Sequence, residues 1–130
     1  MSRYRTSART VTVVAAAALL WAAPPASASV SSVTIAGNSL DLGGGKYGTN
    51  CSYTVTVEGS ANEYVWLYDS SASTFDPQQF ALSAGGSGTA TWTPTATGTH
   101  YVQAWTYNGS QWAVAEVGTG INLGSACAVR

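Results

Sequence analysis

Residues 100–117 read HYVQAWTYNGSQWAVAEV, which has the form of a β-hairpin. Asn108-Gly109 is the dipeptide favoured at the centre of a type I′ turn, where both residues need positive φ. A turn there sets Tyr107 opposite Ser110, Trp105 opposite Trp112, Gln103 opposite Val114 and Tyr101 opposite Glu116. Strand alternation then gives each face its own composition. Val102, Ala104, Ala113, Ala115 and Val117 form an uncharged face and are expected to meet a core. Tyr101, Gln103, Trp105, Trp112, Val114 and Glu116 form the other. The large aromatic side chains are thereby left on the outside.

The chain has 130 residues, enough for one domain. Arg3, Arg5 and Arg9 make a basic start, residues 11–23 an apolar run, and Ala26-Ser27-Ala28 a small-x-small site. Together they predict a secretory signal peptide over residues 1–28, cut before Ser29. An uncleaved membrane anchor is the alternative, but the run is short for a bilayer and nothing later is longer. Residues 29–130 then hold Lys46 and Arg130 against Asp41, Glu58, Glu63, Asp69, Asp76 and Glu116, a formal net charge of −4. An acidic domain with one lysine has no means of gripping phosphates, which argues against nucleic acid and, after signal cleavage, against membranes.

Cys51 and Cys127 are the two cysteines. In an exported chain an even count reads as a disulfide, and only one pairing exists. Closing so long a loop stabilises by roughly 4 kcal/mol in the chain-entropy picture. A metal site is disfavoured, since His100 is the only imidazole and no Cys-x-x-Cys occurs.

No helical periodicity appears after the signal segment, and turn signals recur at the spacing of a β-sandwich. Strands are expected over 32–36, 51–58, 63–69, 80–82, 89–93, 100–107 and 111–117. In 51–58, Cys51, Tyr53, Val55 and Val57 share a face; in 63–69, Val65 and Leu67 oppose Tyr64, Trp66 and Tyr68. Gly43-Gly44-Gly45 lacks the following helix and lysine of a phosphate cradle and reads as a flexible loop. Residues 70–79 read as a polar connection, with Asp76-Pro77 starting a turn. About seven antiparallel strands in roughly a hundred residues point to a two-sheet sandwich.

Residues 51–57, the VWLYD of 65–69 and above all GTATWTPTATGTHYVQAW at 88–105 resemble the bacterial Ig-like domains of secreted and surface proteins. That resemblance implies an all-β, immunoglobulin-like sandwich with sheets A-B-E-D and C-F-G. The seven expected strands map in order onto A to G, with D at 80–82. One departure stands out. Antibody-type domains join strands B and F by cysteines, whereas Cys127 lies beyond G and ties the start of B to the C-terminal tail. His100 falls where such domains place a corner tyrosine, and is expected to bond nearby backbone.

Catalysis is poorly provided for. Nucleophilic catalysis wants a Ser, Cys or Thr beside an oriented base. Here the cysteines are expected to pair, and no spacing singles out two of the carboxylates, which read as surface groups. No catalytic residue, cofactor or metal site is predicted. The aromatics carry more meaning. Tyr64, Trp66, Tyr68, Tyr101, Gln103, Trp105, Tyr107 and Trp112 would form one ridge on the C-F-G face, away from the core. Two packings are open for strand C: Trp92 fills the core and Trp66 stays outside, or Trp66 is the buried sandwich tryptophan. The good core pair Val65 and Leu67 favours the first. The ridge suits a non-catalytic binding module for a polysaccharide or protein partner. A structural or homodimerising extracellular domain, or an inhibitor of a secreted partner, are the alternatives.

Overall fold

The computed structural model describes residues 30–130. The expected signal peptide and its cleavage site lie outside the described residues. Twelve strands follow one another among them: β1 (Val30–Ala36), β2 (Ser39–Asp41), β3 (Tyr47–Gly48), β4 (Tyr53–Gly59), β5 (Tyr64–Asp69), β6 (Ser73–Asp76), β7 (Gln79–Ala81), β8 (Ser87–Pro94), β9 (Gly98–Thr106), β10 (Gly109–Gly118), β11 (Gly120–Asn122) and β12 (Cys127–Val129).

Two sheets make the sandwich. One has the order β1-β4-β8-β6 and the other β3-β10-β9-β5-β7. All pairings in them are antiparallel except the short β3, which runs parallel to β10. The arrangement is the immunoglobulin-like one, with β1, β4, β8 and β6 as A, B, E and D, and β5, β9 and β10 as C, F and G. A third small sheet, β11-β12-β2, closes one end.

Alternation decides what each strand buries. On β4 and the residue pair before it, Cys51, Tyr53, Val55 and Val57 point inward. On β5, Val65 and Leu67 do, and on β9 and β10 Val102, Ala104, Ala115 and Val117 do. The alanines leave room on one side of the core, and Trp92 of β8, fully enclosed, occupies its centre. Its ring lies 5.8 Å from Tyr47, 5.8 Å from Tyr53 and 5.6 Å from His100. Trp66 sits half-buried on the opposite face of β5, so Trp92 is the core tryptophan.

A polar cluster is built into that core. The Trp92 Nε1–H donates to Asp69 Oδ2 at 2.9 Å, and His100 Nδ1 lies 2.7 Å from the same oxygen. His100 Nε2 lies 2.7 Å from the Ala96 carbonyl, which only accepts, so that nitrogen carries a proton. The Ser71 N–H donates to Asp69 Oδ1 at 3.0 Å. The expected backbone bond of His100 is present, but Asp69 is no surface carboxylate. It shares the inward face of β5 with Val65 and Leu67, and three partners offset the cost of enclosing it.

Three further expectations are corrected. The strand beside β8 is β6, not residues 80–82. Phe75 pairs with Trp92 there and packs on the core, whereas Gln79–Ala81 joins the edge of β5. A four-residue edge strand with one apolar side chain has too little alternation to be seen in sequence. The hairpin also turns one residue earlier than Asn108-Gly109. Thr106 pairs with Gly109 across Tyr107-Asn108, and neither turn residue has positive φ, so the turn is not type I′. The Thr106 hydroxyl donates to the Gly109 carbonyl at 3.1 Å and accepts the Asn108 N–H at 3.3 Å, which holds the turn. The register moves by two residues, so every side chain keeps its face. Lastly, the glycine triplet is tied down. Leu42 and Gly44 donate to the Val129 carbonyl, and Gly43 and Gly45 donate to Asp41 Oδ1. A Cβ on Gly44 would overlap the Arg130 backbone, so glycine is required for that approach.

The Cys51–Cys127 disulfide is present, with Cα atoms 6.0 Å apart and a sequence separation of 76. It fastens the start of β4 to β12, as the spacing past strand G implied.

Candidate aromatic face

The outer face of β5, β9 and β10 is laid out by register. Trp66 pairs with Trp105, which pairs with Ser110. Tyr68 pairs with Gln103, which pairs with Trp112. Tyr101 pairs with Val114. All eight residues expected on the ridge therefore lie on one side of one sheet, with Tyr64 and Tyr107 at its turn end.

The structure divides them into two groups. Tyr64, Trp66 and Tyr107 pack on one another edge to face, with centroids 5.0 Å apart for Tyr64–Trp66 and 5.1 Å for Trp66–Tyr107. The Tyr64 hydroxyl donates to Gln79 Oε1 at 3.2 Å. This group satisfies itself as cross-strand aromatic pairs do. The second group does not. Tyr68, Tyr101, Trp105 and Trp112 are 56%, 45%, 48% and 60% exposed, and among the described residues they make no ring–ring contact.

Gln103 stands in the middle of the second group. It is half-buried, flanked across both strand pairs by Tyr68 and Trp112, and its amide has no partner among the described residues. Tyr101, Gln103, Trp105, Ser110 and Trp112 line a shallow open groove of about 400 Å³. Charged groups stand outside it: Lys46 and Glu116 gather beside Val114, with Glu116 accepting the Thr99 hydroxyl at 2.7 Å, and Glu63 accepts from Asn108 Nδ2 at 3.5 Å. The groove itself is lined by no ionisable side chain other than the Tyr101 phenol.

The alternation signal found these residues. The split between self-paired and free rings depends on side-chain rotamers and on where the hairpin turns, which the pattern does not encode. Asp69, His100 and Trp92 form a polar constellation that the sequence did not assemble, but it is enclosed and touches no groove. Among the described residues no three His, Cys, Asp or Glu side chains gather as a metal set.

No family model and no curated protein matches the chain. Solved structures do. A C-terminal 282-residue fragment of intimin, in complex with the translocated intimin receptor intimin-binding domain, matches with a TM-score of 0.54 and 18% identity, over 71% of this chain and 34% of that one. The D00-D0 domain of intimin matches with a TM-score of 0.49 and 19% identity, over 67% of this chain and 44% of that one. The chain thus spans about a third of the length of the first and under half of the second. The first likeness is one of fold, and it agrees with a bacterial Ig-like type of domain.

Proposed function

We propose that this protein is a non-catalytic extracellular binding module that engages its partner through the outer face of β5, β9 and β10. The observation that carries this reading is the set of four exposed, mutually unpaired rings, Tyr68, Tyr101, Trp105 and Trp112, around a free Gln103 amide. Soluble domains seldom present such a patch without a use. The disulfide and the basic-apolar start of the chain support an extracellular location. The enclosure of His100 and the bridging of both cysteines support the non-catalytic part, since neither an imidazole nor a thiol is left for an accessible nucleophile pair.

A protein partner is the second reading. It is favoured by the intimin fragment, whose structure is that of a complex with a receptor domain.

The test is depletion of the chain from solution by isolated bacterial cell walls, before and after protease treatment of the walls. Wild type is expected to be depleted, and Trp105→Ala/Trp112→Ala to remain in solution with an unchanged circular dichroism spectrum. Equal depletion of both forms would sink the reading. Light scattering supplies the other check. A monomer at all concentrations is expected, and a dimer abolished by the same double variant would replace partner binding by self-association.

A further inference from the structure

We infer that the partner of this face is an uncharged polysaccharide, gripped by ring stacking on Trp105 and Trp112 and by hydrogen bonds to the Gln103 amide. This rests on the binding-face reading above and narrows it. Three observations favour a neutral glycan over a protein or a polyanion.

The groove residues Tyr101, Gln103, Trp105, Ser110 and Trp112 offer flat apolar rings and neutral hydrogen-bonding groups together. That is the chemistry of a pyranose, which has apolar C–H faces and hydroxyls around its rim. Lys46 and Glu116 stand together beside Val114, outside the groove, and no lysine, arginine or carboxylate lines it, so the surface that a ligand would lie on is itself uncharged. Protein interfaces typically add arginine anchors to their aromatic residues, and this face has none.

Second, the Gln103 amide is flanked by Tyr68 and Trp112 at directly paired positions on both neighbouring strands. A primary amide offers two donors and an acceptor. With no intramolecular partner, all three are available to a ligand lying on the rings beside it. Trp105 and Trp112 are diagonal neighbours across β9 and β10, since Trp105 pairs with Ser110 and Gln103 with Trp112. Such positions lie roughly 7–8 Å apart, so the two rings present separate stacking sites rather than one.

Third, the groove is open and shallow, lying on a sheet rather than in a cleft. Enclosing sites suit small molecules. An open face suits a chain that extends past it in both directions.

The experiment is retention on cellulose, chitin, xylan and β-1,3-glucan, with alginate as the polyanionic control, for wild type, Trp105→Ala, Trp112→Ala and Gln103→Leu. Thermal denaturation of each variant confirms the fold. Retention on at least one uncharged polysaccharide is expected, insensitive to salt and weakened about tenfold or more by each substitution. Retention that is unchanged by the three substitutions, or seen on alginate alone, would overturn the inference. Loss of retention on the whole panel would also overturn it. If wall binding then persists, is protease-sensitive and still needs Trp105 and Trp112, the face is a protein-binding site. If wall binding is absent too, the binding-face reading falls with it.

Discussion

Asp69 shows how one enclosed group ties the two sheets together. Its carboxylate accepts from Trp92 on one sheet and pairs with His100 on the other, and it caps the chain at Ser71. Removing it leaves the Trp92 indole N–H and the His100 ring facing a void, and stranded enclosed polar groups are costly. Asp69→Ala is expected to destabilise by about 3 kcal/mol, on the order of 15 °C in Tm for a domain of this size. Chemical denaturation reads this directly, and a loss under 1 kcal/mol would show that the cluster is not a stabilising junction. Asp41 behaves differently. Its carboxylate is exposed and accepts the Gly43 and Gly45 N–H groups, which hold its pKa below the ordinary value of 3.8. A lowered folded pKa means that the loop's stabilisation is present above the ordinary range and is lost as pH falls through the lower value. Amide exchange at Gly43 and Gly45 is expected to accelerate relative to the rest of the domain only at such acid pH. In sequence Asp69 reads as a surface group, although alternation in residues 64–69 gives it the parity of Val65 and Leu67, as it gives His100 that of Val102 and Ala104; only that parity was legible. That the two would meet was not, because they are 31 residues apart and only strand pairing brings them together.

Among the strands, β9 and β10 were read most fully and β6 least. Nine- and ten-residue strands with strict alternation announce their faces, and a register change of two residues left those faces intact. The Asn-Gly signal was overridden because the Thr106 hydroxyl holds a turn of the same length one residue earlier. Thr106→Val should therefore cost about 1 kcal/mol, the usual worth of such a hydrogen bond, and a neutral outcome in thermal denaturation would contradict the role given to the hydroxyl. The two aromatic groups of the face give a sharper contrast. Trp66→Ala removes the centre of an edge-to-face trio and is expected to cost about 2 kcal/mol. Trp105→Ala removes a ring with no ring partner and should stay within about 0.5 kcal/mol. Equal losses in urea denaturation would erase the distinction between structural and free rings on which the binding site is defined.

Taken whole, the molecule is a sandwich whose short and irregular ends are held by one covalent tie. The disulfide joins β4 to the β11-β12-β2 sheet, whose strands are only three residues each. Cys51→Ala/Cys127→Ala is expected to lose about 4 kcal/mol by chain entropy, or on the order of 20 °C in Tm. A drop of a few degrees would mean that backbone pairing alone secures the end sheet. The sandwich architecture and the tie to the C-terminal tail were legible because cysteine count and strand alternation are local signals. The end sheet was not, since it depends on a parallel pairing between segments at opposite ends of the domain. The claim that matters most is that the face around Gln103 turns toward a partner. Acrylamide quenching of tryptophan emission, compared for the free chain and the chain adsorbed to bacterial cell walls, tests it most directly. In residues 29–130 Trp92 is enclosed and Trp66 half-buried, whereas Trp105 and Trp112 are 48% and 60% exposed, so those two give the largest share of the quenchable signal. Adsorption is expected to remove most of that signal; quenching as strong on the walls as in solution would mean that the face stays open to solvent and meets no partner there.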